Sequence, residues 1–157
     1  MFFTIMIFWA SLSFAQNFKK YDYVGDYSER LARVQLNHKW GFIDRMGNEV
    51  IPLRYNVAYN FHEGLAEVQL SYKWGFIDRT GKEVTPLKYD YVWRFKEGLA
   101  VVGLNGKYGF INKKGKTVIP LKYDHAESFS EGQALVRLDG REFYIDKNEN
   151  EVKDEKK

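Results

Sequence analysis

The sequence predicts an all-β fold, an elongated array of four stacked 34-residue β-hairpin or meander repeats. Three observations point there. An aromatic-glycine-aromatic phrase recurs, as "HKWGFIDR" at 38–45, "YKWGFIDR" at 72–79 and "NGKYGFIN" at 105–112. Its landmarks keep a period of 34: Trp40, Trp74 and Tyr108; Pro52, Pro86 and Pro120; Gly47, Gly81 and Gly115; Gly64, Gly98 and Gly132. The apolar residues alternate with period two, which is a strand pattern and not a helical one.

Tyr21, Tyr55, Tyr89 and Tyr123 extend the series, so the chain divides without insertions into units 20–53, 54–87, 88–121 and 122–155. Units two and three are identical at 17 of 34 positions. A period of 34 residues is also that of helical tetratricopeptide repeats. Glycine and proline inside the most apolar segments exclude that reading. A small four-bladed propeller is the alternative architecture, although the unit is short for a four-stranded blade.

Within a unit the first strand is the LAxVxL stretch, where Ala66, Val68 and Leu70 point one way and Leu65, Glu67 and Gln69 the other. Asn105-Gly106 and Asp139-Gly140 follow it in units three and four, strong two-residue turns because both residues tolerate positive φ. Asn37-His38 and Ser71-Tyr72 hold the same place with weaker turn chemistry. The aromatic-glycine phrase is the second strand. A turn containing Gly47, Gly81 or Gly115 leads to a third short strand that ends at the proline, at an edge or an exit. The remaining segment crosses to the next unit.

A two-residue turn pairs Leu104 with Lys107, Gly103 with Tyr108, Val102 with Gly109 and Val101 with Phe110. One face of the hairpin is then aliphatic (Ala100, Val102, Ile111) and the other aromatic (Tyr108, Phe110). Gly41, Gly75 and Gly109 leave room for a backbone or ring to approach. Both faces need cover, since each buried aromatic contributes roughly 1.5–3 kcal/mol. One unit cannot provide that cover and a stack can. Unit four puts Glu142-Phe143 in place of the aromatic-glycine pair, Glu149 in place of the glycine and Asp154 in place of the proline; unit one has Glu29-Arg30 in place of Glu-Gly. More polar end units are what a repeat array requires as caps.

Residues 1–15 are uncharged and mostly apolar, and Ser13 and Ala15 are small residues placed for cleavage before Gln16. They are expected to be a signal peptide, although no Lys or Arg precedes the apolar run. Residues 16–19 are then a short N-terminal segment, 20–155 the repeat domain and 156–157 a tail. The expected location is periplasmic or extracellular, with no membrane span after cleavage. The chain has no cysteine, which excludes disulfides, thiolate catalysis and a lipoprotein anchor. A net charge of +3 over 157 residues, with both signs scattered, does not make a nucleic-acid footprint.

The stretch "KWGFIDRTGKEVTPLKYDYVWRFKEGLAVV" resembles the WG repeat family, and the resemblance covers about residues 20–155. It implies bacterial β-hairpin repeat modules, often exported or attached to other domains, that act in binding or scaffolding with no established catalytic chemistry. It supplies no functional residues to carry over.

Asp44, Asp78, Asn112 and Asp146 recur just before a turn, where such side chains cap backbone N–H groups; a catalytic carboxylate pair needs one special place. His38, His62 and His125 occupy three different repeat positions, so no metal site is expected, and no motif calls for a cofactor. Positions that differ between units are the better candidates for ligand contact. Trp93 corresponds to Tyr59, Gly25 and Glu127; Tyr72 to His38, Gly106 and Gly140; Arg94 to Asn60 and Asp26. Large aromatics are usually buried, so packing between units is expected for Trp93 and Tyr59. Exposed, they would form an aromatic ledge suited to a sugar ring or a peptide. The functional expectation is an exported, non-enzymatic module that binds a protein partner or acts as a scaffold at the cell envelope. The alternative is carbohydrate or cell-wall binding through exposed aromatics, and an exposed Trp93–Tyr59 ledge would favour it.

Overall fold

The computed structural model describes residues 19–152, and the proposed signal peptide and tail lie outside them. The described residues contain no helix and fifteen strands. The strands form four consecutive antiparallel sheets. The first orders β1 (Tyr23–Ser28), β2 (Leu31–Leu36), β3 (Lys39–Ile43) and β4 (Glu49–Tyr55). The second has β5 (Val57–Ala58), β6 (Leu65–Leu70) and β7 (Lys73–Asp78). The third has β8 (Tyr91–Val92), β9 (Leu99–Leu104), β10 (Lys107–Asn112) and β11 (Thr117–Tyr123). The fourth has β12 (His125–Ala126), β13 (Gln133–Leu138), β14 (Arg141–Asp146) and β15 (Glu151–Val152).

The hairpin register is the one the two-residue turn requires, with Leu104 opposite Lys107, Val102 opposite Gly109 and Val101 opposite Phe110. All four tight turns place both residues at positive φ, including His38 at 62° and Tyr72 at 65° where no glycine is present. A side chain from the preceding segment holds each turn: Asp22, Asn56, Asp90 and Asp124 accept from the N–H of Asn37, Ser71, Asn105 and Asp139.

The two faces of a sheet are used as expected. Ala100, Val102 and Ile111 of sheet three join Leu65, Phe76 and Phe95 in the core against sheet two. Val101 and Phe110 join Phe129, Ala134 and Val136 in the core against sheet four. Phe42, Phe76 and Phe110 each pack on the phenylalanine before the Glu-Gly step of the next unit: Phe61 at 4.8 Å, Phe95 at 4.8 Å and Phe129 at 4.9 Å. Such a pair adds about 0.5–1.5 kcal/mol beyond its area burial. Lys73–Asp90 and Lys107–Asp124 ion pairs, and Glu29 on the N–H of Gly64, also join neighbours. The first and fourth sheets share no core, hydrogen bond or ion pair among the described residues, so the array is an open stack. The outer face of sheet four carries exposed Glu142 and Tyr144 where the inner units bury aromatics, which makes it a cap.

Two expectations need correction. In units one and three the third strand does not stop at proline, and in unit two isolated bridges at Glu83 and Tyr89 stand in place of a third strand. β4 and β11 run three residues past Pro52 and Pro120, because these are edge strands whose proline needs no ladder partner and whose bulge absorbs it. That bulge is also what approaches the phrase glycine: a Cβ on Gly109 would lie 2.6 Å from the carbonyl oxygen of Ile119 and 2.7 Å from Pro120. The crossing segment also supplies a short strand of its own (β5, β8 or β12) at the opposite sheet edge.

Candidate functional site

The short edge strands carry the candidate residues to one side of the stack. β5 and β8 are only two residues long, and each pairs with one partner strand. The side chains just beyond them therefore project from the sheet edge. Tyr59 is 46% exposed and Trp93 50%, so these two aromatics do not pack away between units as expected. The chain turns outward there and leaves Phe61 and Phe95, two residues further on, to fill the core.

Tyr59, Trp93 and Arg94 meet at the junction of sheets two and three, where they line a cleft of about 220 Å³ together with Trp74, Tyr91 and Glu67. The aromatics form two parallel pairs. Tyr59 stacks on Trp74 with centroids 5.8 Å apart and planes 14° apart. Tyr91 stacks on Trp93 at 5.9 Å and 17°. Tyr72 is not part of the cleft; it stands 88% exposed at the β6–β7 turn.

Glu67 is the residue that sequence reasoning passed over. It sits in the middle of β6 opposite Phe76, on the face that looks toward sheet three, and is 7% exposed. The equivalent positions are Arg33, Val101 and Leu135, so the stack places a carboxylate where unit three buries a valine. Among the described residues no other residue donates a hydrogen bond to its carboxylate and no cation forms an ion pair with it; the Tyr59 N–H binds its backbone carbonyl. Burial raises its pKa above the ordinary glutamate range, against the smaller pull of its own backbone N–H, Arg94 and His62. Arg94 is exposed at the rim and forms no ion pair among the described residues. The cleft thus offers flat apolar walls, one unfilled acceptor and one unfilled multiple donor. The column 33, 67, 101 and 135 reads Arg, Glu, Val and Leu, and only Glu67 and Val101 of the four are buried, so it is burial and not the sequence pattern that singles out Glu67.

The repeated carboxylates have another task. Asp44 Oδ1 accepts from the N–H groups of Met46 and Asn48, Asp78 from Thr80 and Lys82, and Asp146 from Asn148 and Asn150; the side-chain donors of Asn48, Thr80 and Asn150 first, and these N–H groups after them, lower all three pKa values. Asn112 makes the same pair of bonds. These are turn caps. Among the described residues no three His, Asp or Glu side chains converge on a metal position.

An open stack of antiparallel sheets with a recurring aromatic-glycine hairpin defines an all-β repeat protein. The sequence matches the WG-containing repeat at residues 19–40, 40–74, 74–108 and 108–141, and the chain belongs to that family. Among curated proteins none matches. Among solved structures, one similar chain is KlHsv2 with a loop replaced by a Gly-Ser linker, at 11% identity and TM-score 0.49, covering 82% of this chain and 50% of that one. Another is the extracellular domain of a putative one-component system from B. thetaiotaomicron, at 13% identity and TM-score 0.46, covering 85% of this chain and 23% of that one. A plant lectin from Cicer arietinum has 12% identity and TM-score 0.32, covering 84% of this chain and 91% of that one. The chain thus spans half or less of the length of the first two.

Proposed function

We propose that the protein is an exported, non-catalytic carbohydrate-binding module whose ligand surface is the cleft between sheets two and three. One observation carries this reading: a buried Glu67, whose carboxylate takes no hydrogen bond from another described residue, lines one cleft with the stacked pairs Tyr59–Trp74 and Tyr91–Trp93 and with Arg94 at the rim. A sugar ring has an apolar C–H face for an aromatic wall, and vicinal hydroxyls that both donate and accept. Glu67 supplies the acceptor and Arg94 the donor. A simple cation fits less well, because Arg94 repels it and burial disfavours the charged form of Glu67. A protein ligand can use aromatics, but it gives no reason for an isolated acceptor in the floor of a small cleft. The uncharged, apolar residues 1–15 support export.

The test is retention of the purified protein on a panel of immobilised polysaccharides, followed by calorimetry with oligosaccharides of those retained. Wild type is expected to bind, while Trp93→Ala and Glu67→Gln lose most of the affinity and keep the β-sheet circular dichroism spectrum. No retention on any glycan, with cross-linking of a protein partner through Trp93 or Tyr59 instead, would replace this reading with the protein-interaction module.

A further inference from the structure

We propose, building on the carbohydrate reading, that the ligand is a linear acidic glycan lying along all three sheet junctions and not a single sugar in one cleft. The central cleft does not end at its own walls. On one side Tyr59, Glu67 and Arg94 also line a second cavity of about 370 Å³, at the junction of sheets one and two, with Arg33 and His62. On the other side Tyr91 and Trp93 also line a third cavity of about 370 Å³, at the junction of sheets three and four, with Lys96 and His125. Shared walls make the three cavities one trough along β5, β8 and β12 and the segments after them. Its subsites follow the stack, and packed sheets repeat at about 10 Å, close to the disaccharide repeat of an extended glycan chain. A periodic trough matches a periodic polymer.

Charge selects among such polymers. Arg94 and Lys96 are exposed, line the trough and form no ion pair among the described residues. Arg33 lies over the Tyr23 and Trp40 rings, points one N–H at the carbonyl of Ala58 and lines the second cavity. The acids are fewer: Glu67 in the floor and Glu127, which lies 4.0 Å from His125. An excess of free cations along an aromatic trough complements carboxylate or sulfate groups spaced along a sugar chain. Glu67 sits at the centre, where it takes hydroxyl donors.

The experiment is calorimetry of the whole protein with oligogalacturonates and hyaluronan oligomers from monomer to octamer, with the methyl-esterified forms of the same oligomers as neutral controls and a single-stranded RNA oligomer as an alternative polyanion. The expected result is an affinity that rises about tenfold with each added disaccharide until the trough is full. At equal length the acidic oligomer should bind at least about fivefold tighter than its ester, with the difference shrinking at high salt. Lys96→Gln should weaken the acidic series and leave the esters unchanged. Affinity that stops rising at a disaccharide, or esters that bind as well as acids, would overturn the extended acidic-glycan proposal and leave the cleft reading standing. Preferential binding of the RNA oligomer would overturn it in favour of a nucleic-acid groove. No binding by any sugar series, with a folded protein, overturns the carbohydrate reading and this proposal together.

Discussion

Replacing Gly109 by alanine tests why the aromatic-glycine phrase is repeated. The glycine needs no positive φ, so the argument is one of space. Its added Cβ would meet three backbone atoms of the bulged β11 edge at 2.6–2.7 Å, and these cannot rotate away. Overpacking of this kind costs about 1–3 kcal/mol, and backbone obstruction puts it at the upper end. The alanine recovers about 0.4–1 kcal/mol by restricting the unfolded chain. The net loss is then about 2 kcal/mol, which lowers Tm by roughly 4–8 °C in a chain of this size. Gly75→Ala is the internal control. Its Cβ would meet the Leu87 Cδ2 at 2.9 Å, the end of a flexible side chain that can yield, besides the Thr85 Oγ1 and the Pro86 carbonyl at 3.0 Å. It should lose about half as much. Gly64→Ala meets nothing within 4 Å but sits at φ 86°, and should lose about 1 kcal/mol through backbone strain alone. Thermal and urea unfolding followed by circular dichroism rank the three. A Gly109→Ala protein as stable as wild type, or no less stable than Gly75→Ala, would refute the close-approach explanation.

Four further outcomes follow from the same geometry. Glu67→Val, which installs the residue of unit three, should gain about 1 kcal/mol at neutral pH while abolishing ligand binding, a trade-off usual at functional sites. Its pH dependence has a fixed sign. Burial raises the folded pKa of Glu67 above the ordinary value of 4.5, so the folded chain holds the proton longer. Its contribution is therefore best below the unfolded value and is lost as pH rises through the folded value. The advantage of Glu67→Gln over wild type should accordingly grow as the pH rises above the unfolded value of 4.5; the lowered Asp44, Asp78 and Asp146 act in the opposite direction but are common to both proteins. Tyr72→Gly should stabilise by about 1 kcal/mol, since a non-glycine residue at φ 65° and 88% exposure is strained without packing in return. Trp93→Ala, at a half-exposed position, should change Tm by no more than about 3 °C while removing glycan affinity measured by calorimetry.

Much of this fold is legible in the sequence because the repeat repeats its reasons. Four copies of one alternation fix the hairpin register, the two faces of the sheet and the stacking direction. Asp44 and its equivalents read correctly as turn caps because they recur. The extension of β4 and β11 past Pro52 and Pro120 was not legible, since an edge strand can hold a proline that an inner strand cannot. The two-residue strands β5, β8 and β12 were missed because they are too short to show alternation, and that miss hid the outward turn of Tyr59 and Trp93. The cleft was half legible. Trp93, Tyr59 and Arg94 stand out as unrepeated positions and the structure brings them together. Glu67 lay inside a well-behaved strand pattern, and only its burial shows that it is out of place.

The most direct test of the central claim is nuclear magnetic resonance of the indole N–H groups of Trp40, Trp74 and Trp93 during titration with a tetrasaccharide that the protein retains. Trp74 and Trp93 line the cleft, while Trp40 lies outside it under the Arg33 guanidinium. The account predicts saturable shifts at Trp74 and Trp93 with one common dissociation constant and a smaller shift at Trp40. Saturable binding that leaves Trp74 and Trp93 unmoved would place the ligand elsewhere and contradict the assignment of the cleft.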